Sequence, residues 1–365
     1  MEERRIKFSA NNKKEFIIEL REKVSGYFKE NRIAEHGNLN LLFKTIFMIS
    51  LYITPYVLML SGVISSFIGV LFCWIAIGVG QAGVGMGVMH DANHRSFSKN
   101  PKINKWMSNT LYLLGGSPNT WQHQHNTLHH GFTNIDGHDE DISPVGILRF
   151  SPHKPLLKIH RYQHFYAWFF YGLMTILWIT TKDFKQLIRY NKSGVALSNN
   201  KSFKQIMGTV IFSKVLYYIA LMLIPMLVLP FAWYWIVVFF IAQHFTSGFL
   251  LTIIFQTAHV VPTSEYPLPD ENGTLENNWA VHQLYTTSDY SPKSRVFSWL
   301  IGGLNYQVEH HLFPNISHVH YRKLSKLVKE MAEKYNLPYH VQPGFWRALW
   351  EHTLMLKKLG REYAM

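Results

Sequence analysis

Trp121-Gln122-His123-Gln124-His125-Asn126-Thr127-Leu128-His129-His130 sets four histidines within eight residues. Two further clusters stand apart from it: His90-Asp91-Ala92-Asn93-His94, and Gln307-Val308-Glu309-His310-His311. If these segments are helical, His125 and His129 stand four apart, as do His90 and His94, and Gln307 and His311. Side chains at that spacing share one helix face. A face of neutral imidazoles is a metal-binding device. Three such faces carry more donors than one four-coordinate zinc takes. They point to two irons, which favour higher coordination and leave positions open for oxygen.

Composition sets the surroundings of these clusters. The chain is 48% hydrophobic and only 16% charged, against about 25% charged in an average soluble protein. The deficit points to a membrane. Cys73 is the single cysteine, so an intramolecular disulfide framework and Cys-rich zinc or iron–sulfur sites are excluded. Lying in an apolar run, it reads as a small buried hydrophobe. The net charge of +13 fits basic flanks on the cytoplasmic side of a membrane. No zinc-finger spacing or RNA-binding aromatic signature accompanies it, so no nucleic-acid partner is expected.

Residues 1–40 are polar, with no apolar core, so no signal peptide is expected. Within them Phe16 to Phe28 fits a short amphipathic helix on the membrane surface, or else a solvated arm. Leu41 to Met89 carries one charge, Lys44. At roughly 20 apolar residues per span, it holds two spanning helices (about 43–63 and 66–89). Gly78, Gly80, Gly83, Gly85 and Gly87 line the second, for helix packing or for the wall of a lipid-chain tunnel. A long polar segment follows, to about Lys204. In it Phe165 to Thr180 is too short to span and reads as an interfacial helix. Two more spans follow (about 209–230 and 234–260), with His259 at the end of the last. Ser317 to Tyr335 reads as an amphipathic helix, with Leu324, Leu327, Val328 and Met331 on one face.

Both hairpin tips, Ser61 to Ser66 and Pro230 to Trp235, lack Lys and Arg. The positive-inside rule then puts the termini, the central segment and all three histidine clusters on the cytoplasmic face. The expected fold is an all-α integral membrane protein. Four transmembrane helices form two hairpins, and a cytoplasmic helical cap holds a histidine-rich diiron site. The expected domains are a cytoplasmic arm at 1–40, the membrane domain at 41–345 and a tail at 346–365.

The clustered residues His90, His94, His125, His129, His130, His310 and His311, with His259, are read as metal ligands. Isolated histidines (His36, His153, His160, His164, His340, His352) are read as structural or surface residues, and His244 as a hydrogen-bonded core residue. The roles of His123, His138, His282, His318 and His320 stay open. Asp91, Asp136, Asp139, Asp141 and Glu309 are candidates to orient ligating imidazoles. No His-Glu-x-x-His of a zinc protease occurs, nor the paired Glu-x-x-His of a soluble diiron bundle.

The pattern resembles the membrane fatty acid desaturases, whose three histidine boxes read H-x(3–4)-H, H-x(2–3)-HH and [HQ]-x(2–3)-HH. The resemblance covers roughly residues 40 to 345. A third box led by glutamine, Gln307-Val308-Glu309-His310-His311-Leu312-Phe313-Pro314, is similar to the front-end subgroup. That subgroup desaturates between an existing double bond and the carboxyl end. The resemblance implies a diiron centre with Gln307 among its residues and O2 as co-substrate. It also implies a fatty acyl-CoA or acyl-lipid substrate, with one hydrogen removed from each of two adjacent methylenes and water released. Such methylenes are chemically alike, so position along the chain must be set by a closed apolar tunnel. Many front-end enzymes carry a fused cytochrome b domain. Here residues 1–40 are too short for one and lack His-Pro-Gly-Gly, so an external donor is expected, a ferredoxin or cytochrome b-type protein with its reductase. Two other readings remain: a diiron membrane hydroxylase, and a divalent-metal transporter. The second would need ionisable groups inside the spans, which are nearly absent.

Overall fold

The computed structural model describes residues 6–10, 12–144, 146–198 and 200–362. It is mostly helical, and four helices are long and apolar enough to cross a membrane. They are α2 (Leu39–Leu60), α3 (Phe67–Asn93), α5 (Phe203–Val228) and α6 (Trp233–His259). α1 (Lys14–Glu30) precedes them, and α4 (Gln163–Gly172) lies in the central segment. After α6 come α7 (Trp279–Thr286), α8 (Arg295–Leu300), α9 (Gln307–Leu312), α10 (Tyr321–Lys334) and α11 (Phe345–Leu359). The chain divides into two compact units. The first takes Met1–Gly37, Gln124–Ala167 and Ile254–Met365, and the second Asn38–His123 and Trp168–Ile253.

The second unit holds most of the apolar spans. Asn38 caps α2 by accepting from Asn40 N and Leu41 N, and Ser66 caps α3 through Gly69 N. α3 packs on α2 through its glycines. A Cβ on Gly80 would come within 2.6 Å of the Tyr52 backbone, and one on Gly83 would strike the Met48 side chain. Gly78 does the same for α6, where a Cβ would meet the Gln243 carbonyl oxygen. At these three positions the glycines serve close helix packing. The segment expected as an interfacial helix, Phe165 to Thr180, is broken after Gly172 and packs one side on α6. A Cβ on Gly248 would lie 2.7 Å from the Gly172 carbonyl oxygen, and the Thr175 hydroxyl donates to the His244 carbonyl. Missing side chains let the two backbones meet.

Two buried polar clusters sit in this unit. Lys214 donates to the carbonyls of Gly115 and Trp178 and to Asp183 Oδ2, at 2.8–2.9 Å. Asp183 Oδ1 accepts from Thr120 and from the Trp178 indole. His244 behaves as the core histidine its apolar neighbours suggested. Its Nε2 meets the Tyr217 hydroxyl at 3.0 Å, its Nδ1 meets Thr175 at 3.0 Å, and Gln81 and Gln243 extend the chain.

In the first unit two short parallel pairs tie distant segments: β1 (Lys7–Phe8) with β2 (Thr274–Leu275), and β3 (Asp289–Tyr290) with β4 (Val341–Gln342). The core joins α1, α7, α9 and α10. α10 buries Leu324, Val328 and Met331 with Leu327 partly covered, the stripe its spacing predicts. α1 departs from both expectations for the N-terminal arm. Its face of Phe16, Leu20, Val24 and Phe28 is buried in this core, not laid on a membrane or left in water. The same amphipathic period serves a protein core or a lipid surface. Here α10 supplies the cover, and Lys334 and Tyr335 pair with Glu19 at its edge. Each such side chain contributes about 1.5–3 kcal/mol when fully buried.

Candidate metal centre

The second box is not α-helical. Gln122–His129 forms a π-helix, and His130 N donates to His125 O at 3.0 Å. An i→i+5 turn holds one residue more than an α turn, so positions i+4 and i+5 fall on either side of position i. In an α-helix His130 would point well away from His125. Here both His129 and His130 converge on it, with ring centroids 5.3 and 4.8 Å from that of His125. The Nε2 atoms of His125 and His130 stand 3.2 Å apart. That is near the separation expected for two donors on one metal with bonds of ~2.1 Å.

The third box lies on α9. Asp289 sits at the head of this helix and accepts from Val308 N at 3.0 Å, as a carboxylate should at a helix N-terminus. His310 and His311 then meet the second box. The His130 ring lies 4.5 Å from His310 and 4.3 Å from His311, and His129 lies 4.8 Å from His311. His259, the last residue of α6, is 4.7 Å from His129 and 4.8 Å from His311. His129, His259 and His311 each offer a nitrogen within 4.8 Å of the others. Gln307 is buried and its amide faces the His259 ring. The first unit thus gathers His125, His129, His130, His259, Gln307, His310 and His311. His90 and His94 belong to the second unit, at the end of α3 just past a π turn at Gly85–Met89. Their rings are 4.8 Å apart, and both take the edge of Trp121.

The donor set fits metal. His129 Nδ1 is 3.1 Å from Asp139 Oδ2. A carboxylate only accepts, so Nδ1 carries the hydrogen and Nε2 the lone pair. That Nε2 is buried with no hydrogen-bond partner among the described residues. Asp139 is held in turn by the amides of Asn134 and Asp141. His311 Nδ1 is fixed 2.8 Å from Gln283 Oε1, which also accepts from Thr133. His310 Nδ1 lies 3.2 Å from the Tyr321 hydroxyl. Burial disfavours a charged His129, yet Asp139 and Asp141 together raise its affinity for a proton above the ordinary value. A divalent cation among these rings would draw on the same field.

Of the five carboxylates singled out in the sequence, Asp139 and Asp141 stand beside His129, at 3.1 and 3.7 Å. Asp91 is 4.0 Å from His90. Asp136 pairs with Lys154 instead. Glu309 turns to Asp289 and to the Tyr339 hydroxyl, 3.0 Å away. Burial pushes Asp289 up to about 6 and Glu309 well above the carboxylate range, Glu309 also through the charge of Asp289 beside it. The five open histidines join no metal-sized group among the described residues. His282 Nε2 meets the Thr133 carbonyl oxygen, His320 that of His36, His123 packs on Tyr190, and His138 on Phe132. His318 is buried beside Gly303. Gln283, Thr133 and Tyr321 are the contributors the sequence reading missed. Gln283 and Thr133 lie far from His311 in sequence, and Tyr321, eleven residues after His310, stands in the stretch Ser317 to Tyr335, whose spacing shows only its apolar face.

The comparisons with known proteins agree with this chemistry. Residues 65–343 match the sequence model of the family described as Fatty acid desaturase. The chain is 31% identical to the sn-1 linoleoyl-lipid 6-desaturase of Synechocystis sp. over 98% of both chains. It is 30% identical to the acyl-lipid (8-3)-desaturase of Physcomitrium patens, over 97% of this chain and 74% of that one. It is 32% identical to the acyl-lipid (8-3)-desaturase of Mortierella alpina, over 93% of this chain and 77% of that one. Neither the hydroxylase nor the transporter reading gains support. With four membrane-length helices and buried histidine clusters besides, the chain belongs to the fatty acid desaturase family and is a membrane oxidoreductase that desaturates fatty acyl chains.

Proposed function

We propose that this desaturase is a front-end acyl-lipid enzyme. It inserts a cis double bond between an existing double bond and the carboxyl end, at the sixth carbon of a glycerolipid-bound chain. The observation that carries this reading is the third box led by glutamine. It opens a buried helix, and Gln307 faces His259. The names of the matched relatives, a linoleoyl-lipid 6-desaturase and acyl-lipid (8-3)-desaturases, support it.

The residues that would hold two irons are His90, His94, His125, His129, His130, His259, Gln307, His310 and His311. Bound there, the irons would supply the activation of O2 needed to take hydrogen from two adjacent methylenes. The chain's own groups prepare the site. Asp139 and Gln283 keep Nδ1 of His129 and His311 protonated and turn Nε2 toward the centre. Phe255 packs on His125, His129 and His259 and gives the site an apolar wall.

The same reading covers topology and supply. The four spans form two hairpins whose tips lack Lys and Arg, with both termini, the helical cap and the site on the cytoplasmic side. The domain runs over 41–345, between an arm at 1–40 and a tail at 346–365. Electrons come from a separate ferredoxin or cytochrome b-type protein with its reductase. The test is expression in a host supplied with linoleate, followed by gas chromatography of methyl esters from separated lipid classes. The expected product is a triene with its new bond on the carboxyl side, appearing first in glycerolipid. A new bond on the methyl side refutes front-end chemistry, and first appearance in the acyl-CoA pool refutes the lipid carrier.

A further inference from the structure

α11 carries an exposed stripe that its own core does not explain. Trp346 is 81% exposed, Trp350 56% and Leu354 36%. They stand at i, i+4 and i+8, on one side of the helix. The opposite side, with Ala348, His352, Met355, Leu356 and Leu359, is buried. That buried side fixes where the helix lies. His352 Nδ1–H donates to the Val260 carbonyl at 2.8 Å, one residue past the end of the fourth span. Gln163, at the start of α4, donates to the Leu356 carbonyl at 2.8 Å. A helix seated at the mouth of a spanning helix lies at the depth where hydrocarbon gives way to headgroups.

The chemistry of the face matches that depth. Trp, with an apolar body and an N–H at one edge, is the residue of membrane interfaces. Val296, 71% exposed on α8, extends the apolar surface, since the Phe297 ring of that helix packs against Phe345 at the start of α11, centroids 4.8 Å apart and planes tilted by 41°. Exposed cations border it: Arg295, Lys357 and Lys358. A helix with aromatic and aliphatic groups on one face and Lys or Arg beside them lies in the plane of a bilayer containing anionic lipid.

We propose that α11, with the edge of α8, is an in-plane membrane anchor. Trp346, Trp350 and Leu354 sit among the headgroups and upper acyl carbons of the bilayer that the four spans cross. The C-terminal helix is then a lipid-facing element that fixes the first unit to the membrane surface, not a soluble tail. This goes beyond the proposed substrate and does not rest on it.

The experiment uses the full chain with Cys73→Ala, so that single cysteines can be labelled with an environment-sensitive fluorophore. Labels go at Trp346→Cys, Trp350→Cys and, as a control, Lys326→Cys on the exposed side of α10. The labelled proteins are placed in nanodiscs of phosphatidylcholine and phosphatidylglycerol, with or without a lipid bearing a nitroxide near its headgroup. At 346 and 350 the lipid nitroxide should quench strongly, and soluble iodide should quench roughly two-fold or more weakly than at 326. Labels at 346 and 350 that iodide reaches as freely as at 326 would overturn the proposal. Labels shielded from iodide yet untouched by the lipid nitroxide would overturn it too, and would point to a second copy of the chain as the cover.

Discussion

His244 and His129 are both buried histidines, and their surroundings differ in kind. Both ring nitrogens of His244 are spoken for, by Tyr217 and Thr175, and the network continues to Gln81 and Gln243. His129 has one nitrogen tied to Asp139 and the other turned, without a hydrogen-bond partner among the described residues, toward the rings of His259 and His311. Burying a polar group without a partner costs about 1–3 kcal/mol. A metal ion among these rings would take up the lone pair of that His129 nitrogen. The first histidine belongs to the architecture, the second to the chemistry.

The largest effect should separate the two outright. His129→Ala should abolish desaturation and lower bound iron, whereas His244→Ala should keep its iron and lose only thermal stability, as read by metal analysis and melting in detergent. Equal iron loss in both would erase the distinction.

Next comes the Lys214–Asp183 pair. Lys214→Met leaves a buried carboxylate and should cost roughly 3–5 kcal/mol. Lys214→Met with Asp183→Asn should recover most of it, because Asn keeps an acceptor for Thr120 and Trp178. If the double variant is no more stable than the single one, the pair is not a matched charge site.

Asp139→Ala should weaken metal affinity by about 10–100-fold, the usual effect of removing a group that orients a ligating imidazole. Chelator competition measures this, and an unchanged affinity would remove Asp139 from the site.

The smallest effect is a slope. Burial lowers the pKa of His352 to about 4, against 6.5 for an exposed histidine, with its bond to Val260 only partly opposing. The unfolded chain therefore takes up a proton between pH 6.5 and 4 that the folded chain refuses. Stability falls over that window by about 1.4 kcal/mol per pH unit for this one group. His352→Gln should flatten the pH dependence of the melting temperature there, and should leave it unchanged above pH 7.

What the sequence made legible follows from the range of each signal. Four apolar runs of about 20 residues announce spans because the requirement is local and one-dimensional. The box histidines announce themselves by spacing. The π turn at Gln122–His129 does not, since His-x-x-x-His-His is equally legal in an α-helix until the register of backbone bonds is known. The amphipathic period of α1 reports that a face is buried, not that α10 buries it. Gln283, Thr133 and Tyr321 look like ordinary polar residues until folding sets them against imidazoles of another element.

The wide turn of the second box has a further consequence for how the chain tolerates change in length. An i→i+5 helix is an α-helix that has accommodated one extra residue. Deleting Asn126 or Thr127 would leave the last two histidines three and four residues after the first, and in a regular α-helix those positions again flank it. The π turn therefore lets a box with three spacers present the same three rings that a box with two spacers presents on an α-helix. The extra residue is taken up as a bulge in the backbone, and the convergence of the rings survives the change in length.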